Sequence, residues 1–331
     1  NDRFSYNGGA GMFGVQARVL ANYSAMAAVL GTLTYAGGSA VKFQAQLKDV
    51  QAISASTDIE LKALEKTILS VGLSTKFSTE EIAEGTKLLA QAGYSVTQIQ
   101  QAIRPIADLA AGAGADFSDA VNITTSILSI FDMSVSRTAE VTNVLTAGLN
   151  QSKLSLDQLS LGIQYAGNFA ADSGVQFEEM VAALGAMANA GIKSGSTLGT
   201  GFRALIKELE DPSQKFQENL AKVGLTISDV DVKAHGLGQV MQTLSDAGFD
   251  SAAAMGSFEL RAAAAYSALS NNLNVFQDLE RNIIGTTAAQ DAAAIQMDTF
   301  AAQWQRLANA VTEFTYVVGG SALTGLQALV G

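Results

Sequence analysis

The stretch Gly72–Ser95 constrains the fold of this chain more than any other, because it encodes the start, the packing face and the end of one helix. Ser78 and Glu81 have the spacing of a capping box, in which each side chain pairs with a free backbone N–H at a helix start. Gly93 then ends the helix, since glycine favours the left-handed backbone found at helix C-termini. Small and apolar residues recur between these signals at helical spacing: Ile82, Gly85, Leu89 and Ala92.

The same signals recur along the chain. Capping boxes are repeated at Ser95 with Gln98 and at Ser155 with Gln158. Two short helices joined by a glycine turn form a helical hairpin, and proline, which breaks helices, occurs only 2 times in 331 residues. We therefore predict an all-α fold, with stacked helical hairpins over residues 42–286. The strongest predicted core stripe is Phe177, Met180, Val181, Leu184 and Met187.

Residues 1–41 differ from the hairpin region. A glycine-rich lead comes first, and the run Val19–Val41 then carries no formal charge over 23 residues. That length suffices to cross a membrane, but polar residues and glycines make the run less apolar than a leucine-rich anchor. Two interpretations stay open: a helix packed within an assembly, and a segment that inserts into a membrane. Because the chain begins at Asn1 rather than methionine, we expect it to be a piece of a longer protein.

Residues 287–331 change from helical to heptad spacing. The positions that alternate three and four residues apart are Met297, Phe300, Trp304, Leu307, Val311, Phe314 and Val318. A period of 3.5 residues keeps such a seam on one side of a long helix, as a bundle requires. We expect the start of a long, coiled-coil-like helix that bundles with identical chains, a trimer being favoured. The alternative is a long helix that lies across its own core.

Few residues offer catalytic or ligand-binding chemistry. The chain has no cysteine, and His235 is its single histidine, which we expect to be exposed in a loop. Gly195–Gly201 lacks the Gly-Lys-Ser/Thr ending of a phosphate-binding loop. We interpret it as a tight turn that allows close backbone approach, with Arg203 reaching a neighbouring carbonyl or carboxylate. The net charge of −11, without a basic cluster, disfavours nucleic-acid binding. We predict no enzyme activity, no cofactor and no metal.

Three blocks, in order, resemble the core region of phage tail tape-measure proteins. The first is VGLSTKFSTEEIAEGTKLLAQAGYS, residues 71–95, against a family pattern of roughly VG-T-KFT-EE-AE-LAAAG. The second begins with Asp108-Leu-Ala-Ala, and the third joins Ala190–Lys193 to Gly199–Arg203. The resemblance covers roughly residues 43–273. Its motif positions, expected to have structural roles, are Gly72, Lys76, Phe77, Gly93, Gly191, Ile192, Gly199, Thr200 and Arg203.

This resemblance implies a structural virion protein that is made in the host cytoplasm and lies in the lumen of the phage tail. Such proteins set tail length during assembly and leave the tube ahead of DNA at infection. The implied partners are tail tube proteins, tail tip or baseplate proteins, tail assembly chaperones, copies of the same chain and the host membrane. Because short capped helices fold compactly, we expect the length-setting rod to lie mostly outside residues 42–286. The alternative function is a membrane-active helical protein that forms a conduit for DNA.

Overall fold

The computed structural model of the chain describes residues 42–299, 301–307 and 309–310. Within these residues every regular element is helical, which confirms the all-α prediction. Residues 42–54 form the first helix, α1. The next helices are α2 (Asp58–Ser74), α3 (Thr79–Gln91), α4 (Val96–Ala113), α5 (Phe117–Ile130), α6 (Thr138–Asn150), α7 (Leu156–Asp172), α8 (Phe177–Asn189) and α9 (Gly195–Glu210).

The remaining helices are mostly shorter. They are α10 (Gln214–Lys222), α11 (Val232–His235), α12 (Leu237–Asp246), α13 (Ser251–Ser257), α14 (Leu260–Ser270), α15 (Leu273–Ile283) and α16 (Ala288–Met297). Two 3₁₀ turns, Val135–Arg137 and Ile227–Val230, precede α6 and α11. Residues 301–307 and 309–310 are again helical, and we name them the exit helix.

Reciprocal capping boxes begin α2, α3, α4 and α7. At the start of α3, the backbone N–H of Ser78 donates to Glu81 Oε2 at 2.7 Å, and the N–H of Glu81 donates to Ser78 Oγ at 3.2 Å. The three boxes predicted from the sequence, at Ser78, Ser95 and Ser155, are confirmed. Each cap stabilises its helix by about 1 kcal/mol, because it satisfies N–H groups that have no partner within the helix.

Glycines in the left-handed conformation follow several helices. Gly93 has φ +88° after α3, Gly114 has φ +66° after α4, and Gly191 has φ +106° after α8. Apart from its two chain neighbours, no described residue has an atom within 4 Å of a Cβ built at Gly93, so only the backbone conformation requires glycine there. The turn at Gly93 lets α4 fold back against α3, as predicted from the sequence.

The predicted apolar stripes form one contiguous core. All five residues of the α8 stripe are buried, as are the equivalent apolar positions of α2 and α9. Helix α4 is central to the first part of the fold, because it packs against five other helices: α2, α3, α5, α6 and α16. The most extensive contacts join helices that are not consecutive, such as α7 with α9, α4 with α16, and α9 with α14. The hairpins are therefore held together mainly by helices from other hairpins.

Two predicted loops are helical in the structure. Gly195–Gly201 is the first half of α9 rather than a turn, because Ser194 caps the helix by accepting a hydrogen bond from the Thr197 N–H at 3.4 Å. The acidic run before His235 forms a 3₁₀ turn and the single-turn α11. Asp231 begins α11, since its Oδ1 accepts from the Lys233 N–H at 2.9 Å. Local side-chain caps thus convert both predicted loops into helix.

The expectation of one continuous helix from residue 287 onwards is wrong at Asp298 and Thr299. Helix α16 ends at Met297. Thr299 then acts as a new cap, because its Oγ1 accepts from the Ala302 N–H at 3.2 Å. Threonine and aspartate side chains compete with the helical backbone for its hydrogen bonds, which explains the interruption at this pair. The exit helix is therefore a separate element from α16.

Candidate assembly surfaces

The predicted motif residues lie on two separate groups of helices. Gly72, Lys76 and Phe77 lie where α2 turns into α3, and Gly93 lies at the far end of α3. The remaining motif residues, which follow α8 or lie along α9, are Gly191, Ile192, Gly199, Thr200 and Arg203. The structure therefore presents two candidate surfaces, which we name the motif turn (residues 72–77) and the α7/α9 interface.

The motif turn is tightly packed. A Cβ at Gly72 would lie 3.1 Å from Thr79 Oγ1 and 3.5 Å from Thr79 Cα, so this glycine lets α3 begin close to the last turn of α2. Phe77 is buried, and the centroid of its ring lies 5.8 Å from that of Phe117 on α5. Lys76 Nζ lies 5.1 Å from the Phe77 ring centroid, a cation–π distance. The turn is thus fixed by the aromatic packing of Phe77.

The motif turn also contacts a residue that the sequence patterns did not single out, Asn309 of the exit helix. Its Nδ2 donates to the carbonyl oxygens of Gly72 and Phe77, each at 2.9 Å, and only 4% of the residue is exposed. Gly72 belongs to the last turn of α2, whose carbonyls have no partner within the helix. The sequence shows only an asparagine in an alanine-rich run. Nothing in that run indicates a contact between Asn309 and Gly72, which lies 237 positions earlier.

At the α7/α9 interface the two helix backbones approach each other closely. A Cβ at Gly195 would lie 2.5 Å from the Gln158 carbonyl oxygen, and one at Gly199 would lie 2.6 Å from the Gly162 carbonyl oxygen. Thr200 is turned back onto its own helix, where its Oγ1 donates to the Ser196 carbonyl at 2.7 Å. The predicted close approach is confirmed, within a helix rather than at a turn.

The outer face of the α7/α9 interface carries Arg203. Its guanidinium carbon lies 5.5 Å from the centroid of the Phe169 ring on α7. In the described part of the chain it forms no hydrogen bond or ion pair with a carbonyl or carboxylate, and the polar partner of Arg203 stays a prediction. Leu161 and Tyr165, which lie on α7 with Phe169, are 42% and 46% exposed. This face therefore presents apolar and aromatic surface with one positive charge.

The predicted heptad seam is divided by the helix interruption. Met297 is buried in the core, whereas Trp304 is 63% exposed and Leu307 is 56% exposed. The other four seam positions, Phe300, Val311, Phe314 and Val318, lie outside the described residues. Ile295 of α16 is also largely exposed. The last described residues thus carry large apolar side chains that the described core does not cover.

A cleft of about 550 Å³ is lined by residues of α2, α4, α16 and the exit helix. Arg104 lies at its wall, where Nε donates to Asp108 Oδ1 at 2.8 Å and Nη1 donates to Ser74 Oγ at 3.0 Å. Burial raises the pKa of the Asp108 carboxyl, although the positive charge of Arg104 opposes that change. This arrangement anchors α4 to the end of α2, so we interpret it as structural.

The described residues show no arrangement typical of a metal site. They contain no group of three or more His, Asp or Glu side chains placed to hold a metal ion. His235 is exposed, and its Nε2 lies 3.1 Å from the Ser228 carbonyl oxygen. No helix in this part of the chain is long and apolar enough to cross a membrane. The uncharged run Val19–Val41 lies outside the described residues.

Comparison with known proteins identifies similar phage proteins. A family model described as "Phage-related minor tail protein" matches residues 65–258. The "Tape measure protein" of Pneumococcus phage Dp-1 is 30% identical over 188 residues, and the "Probable tape measure protein" of Escherichia phage P2 is 29% identical over 190 residues. Each match covers 57% of this chain, but only 16% and 23% of the two relatives, respectively. No solved structure matches the chain significantly.

Proposed function

Because the chain belongs to the phage-related minor tail protein family, as its three sequence blocks predicted, we propose that it is the core region of a tail tape-measure protein. Two similar curated proteins carry that name. The observation that carries the proposal is the extent of the family match, which begins within α2 and extends to Phe258, just after α13. The matched residues therefore make up most of the packed core.

The length-setting function belongs, in this proposal, to helical sequence outside the packed core. A single helix of 331 residues would span about 500 Å at ~1.5 Å per residue. The described residues instead form short helices, of which α4 with 18 residues spans only about 27 Å. The core contributes little length for its number of residues. Its proposed role is to anchor the rod in the tail or to be delivered with it.

The exit helix is the proposed start of that rod. Trp304 and Leu307 are exposed and follow the heptad spacing, so identical chains would cover them in a bundle, a trimer being the first choice. The proposed location is the lumen of the virion tail, with tail tube proteins, tail tip or baseplate proteins and assembly chaperones as partners. A net charge of −11 would repel the DNA that follows the protein out of the tube.

Tail length measured by electron microscopy tests the rod proposal. In the phage that encodes the chain, an in-frame insertion of about 28 helical residues after Val318 should lengthen tails by about 42 Å, at ~1.5 Å per residue. The matched control places the same number of Gly and Ser residues in the turn Asp211–Ser213, between α9 and α10. That control should leave tail length unchanged. Tails of normal length from the Val318 insertion would contradict the rod proposal.

The uncharged run Val19–Val41 supports a second candidate function, a conduit across the host envelope. Dye release from liposomes by the synthetic peptide 19–41 would favour this function. The matched control is the same peptide with Leu33→Lys, because a charge at the centre of a spanning segment is unfavourable. Release by the first peptide and not by the second would support insertion. Absence of release from both would favour a protein that stays in the tail lumen.

A further inference from the structure

The exit helix is bound to its own core at the motif turn, where Asn309 contacts Gly72 and Phe77. We propose that the motif turn is an intramolecular docking site that holds the exit helix against the core and keeps it from assembling. The inference rests on the proposed self-association of the exit helix. In this proposal the motif turn binds the exit helix through two backbone carbonyl oxygens, those of Gly72 and Phe77.

The contact has the properties of a specific binding site. Both acceptors lie 2.9 Å from Asn309 Nδ2, so both N–H groups of the amide have partners. Gln305 Nε2 donates to Asn309 Oδ1 at 3.1 Å, which orients the amide. Burial makes these hydrogen bonds selective, because an unpaired amide in the same place would be unfavourable. Substitutions at residue 309 should therefore act on docking directly.

Helix α16 is fixed to the core independently of Asn309. At its start, the Ala289 N–H donates to Asn143 Oδ1 of α6 at 3.0 Å in a buried contact. In its middle, a Cβ at Gly112 of α4 would lie 2.8 Å from Ala292 Cβ, so the two helices touch closely. By contrast, among the described residues the exit helix forms hydrogen bonds to the core only through Asn309. The exit helix can therefore detach while α16 stays in place.

Docking also prevents alignment of the heptad seam. A spacing of 3.5 residues places Met297, Trp304 and Leu307 on one side only if the helix continues through Asp298 and Thr299. In the docked state the helix is interrupted at that pair, and Trp304 and Leu307 are exposed. Release from the motif turn would allow one continuous helix. Docking and bundling are thus alternative states, and whatever favours one disfavours the other.

The composition of the chain provides a direct test, because Trp304 is its only tryptophan and it has no cysteine. A cysteine introduced by Glu84→Cys, at an exposed position of α3, can carry a fluorescent acceptor for Trp304 emission. In dilute monomer, Asn309→Asp should lower the energy transfer, since a carboxylate would face two carbonyl oxygens. Loss of both hydrogen bonds should shift the docked-to-released equilibrium about tenfold or more.

Controls separate docking from charge and from unfolding. Gln296→Glu adds the same charge at an exposed position of α16 and should leave energy transfer unchanged. Asn309→Ala removes the amide without adding charge and should lower transfer as Asn309→Asp does. The melting temperature of the core should stay the same in all three variants. Unchanged transfer in both residue-309 variants would overturn the docking proposal.

Self-association of the same samples, measured by light scattering, distinguishes this inference from the proposed function. Lower transfer together with stronger self-association supports both. Lower transfer without self-association at any concentration supports the docking site and contradicts the seam. Self-association of the original chain at unchanged transfer supports the seam and overturns docking, because bundling would then not require release.

Discussion

The α7/α9 interface and the region from α10 to α14 stabilise the core by opposite means. In the interface, glycines bring two helix backbones together, so that a Cβ at Gly199 would lie 2.6 Å from a carbonyl oxygen. In the other region, ring centroids lie 4.7 to 5.7 Å apart in a cluster of Phe216, Phe249, Phe258 and Tyr266. The first region has no space for added atoms, whereas the second depends on large side chains that fill its volume. The two regions should therefore respond oppositely to changes in side-chain size.

Removal of a ring from the aromatic cluster should have the largest effect. Phe216 is fully buried, and its ring centroid lies 4.7 Å from that of Phe258. Phe216→Ala should lower the free energy of unfolding by about 3–5 kcal/mol, through lost burial and the cavity that remains. Urea unfolding followed by circular dichroism measures this change. Phe216→Leu, which keeps much of the volume, should cost clearly less, and equal losses would contradict the packing argument.

Addition of a methyl group to the α7/α9 interface should have the next largest effect. Gly199→Ala places Cβ 2.6 Å from the Gly162 carbonyl oxygen and 2.8 Å from Tyr165 Cβ, so the helices must move apart. We expect a loss of about 1–3 kcal/mol in the free energy of unfolding, as for overpacked cores.

The control for this change is the same substitution at Gly256 in α13, where no described residue outside the local helix backbone lies within 4 Å of the added Cβ. Alanine favours helix over glycine by about 1 kcal/mol, so Gly256→Ala should stabilise the chain or leave it unchanged. Changes of opposite sign in the free energy of unfolding, measured with urea, would support the distinction between crowded and open glycines. A Gly199→Ala chain that is more stable than the original would contradict it.

These two glycines also show what the sequence can and cannot predict. Helix starts, the glycine turn at Gly93 and the buried stripes were predictable, because each depends on residues within one or two helical turns. The sequence alone predicts a tight turn at Gly199, since a glycine required for close packing looks the same in sequence as one required for a turn. The positions of Arg203 over Phe169 and of Asn309 at the motif turn depend on distant elements. Local patterns carry no information about such partners.

Within the aromatic cluster, the hydroxyl of Tyr266 should contribute less than the rings. It is buried and donates a hydrogen bond to the carbonyl oxygen of Phe249. Burial raises the pKa of Tyr266, so the hydroxyl stays protonated, and able to donate, across the neutral range. Tyr266→Phe should lower the free energy of unfolding by about 1–2 kcal/mol, because the buried carbonyl loses its partner while the ring packing stays. A loss as large as that of Phe216→Ala would contradict this division between ring and hydroxyl.

The smallest expected effect is electrostatic and lies beside both regions, where α8, which packs against α9, contacts α12. Glu179 Oε1 of α8 accepts from the Leu237 N–H at 2.8 Å, and a Cβ at Gly238 would lie 2.7 Å from Glu280 Oε2. Burial, and then the negative charge of Glu179, raise the pKa of the Glu280 carboxyl, while Arg281 opposes the change. The folded state therefore binds this proton more tightly than the unfolded state does.

The sign of the pH dependence follows from that difference. The contribution of Glu280 to stability is fully present below the unfolded pKa of about 4.3 and is lost as pH rises through the higher folded value. Glu280→Gln should therefore raise the melting temperature slightly at pH 7 and leave it nearly unchanged at pH 4. The matched control is Glu84→Gln at an exposed position of α3, which should alter neither value. A lower melting temperature for Glu280→Gln at pH 7 would contradict this argument. It would show that the ionised Glu280 carboxylate stabilises the folded state.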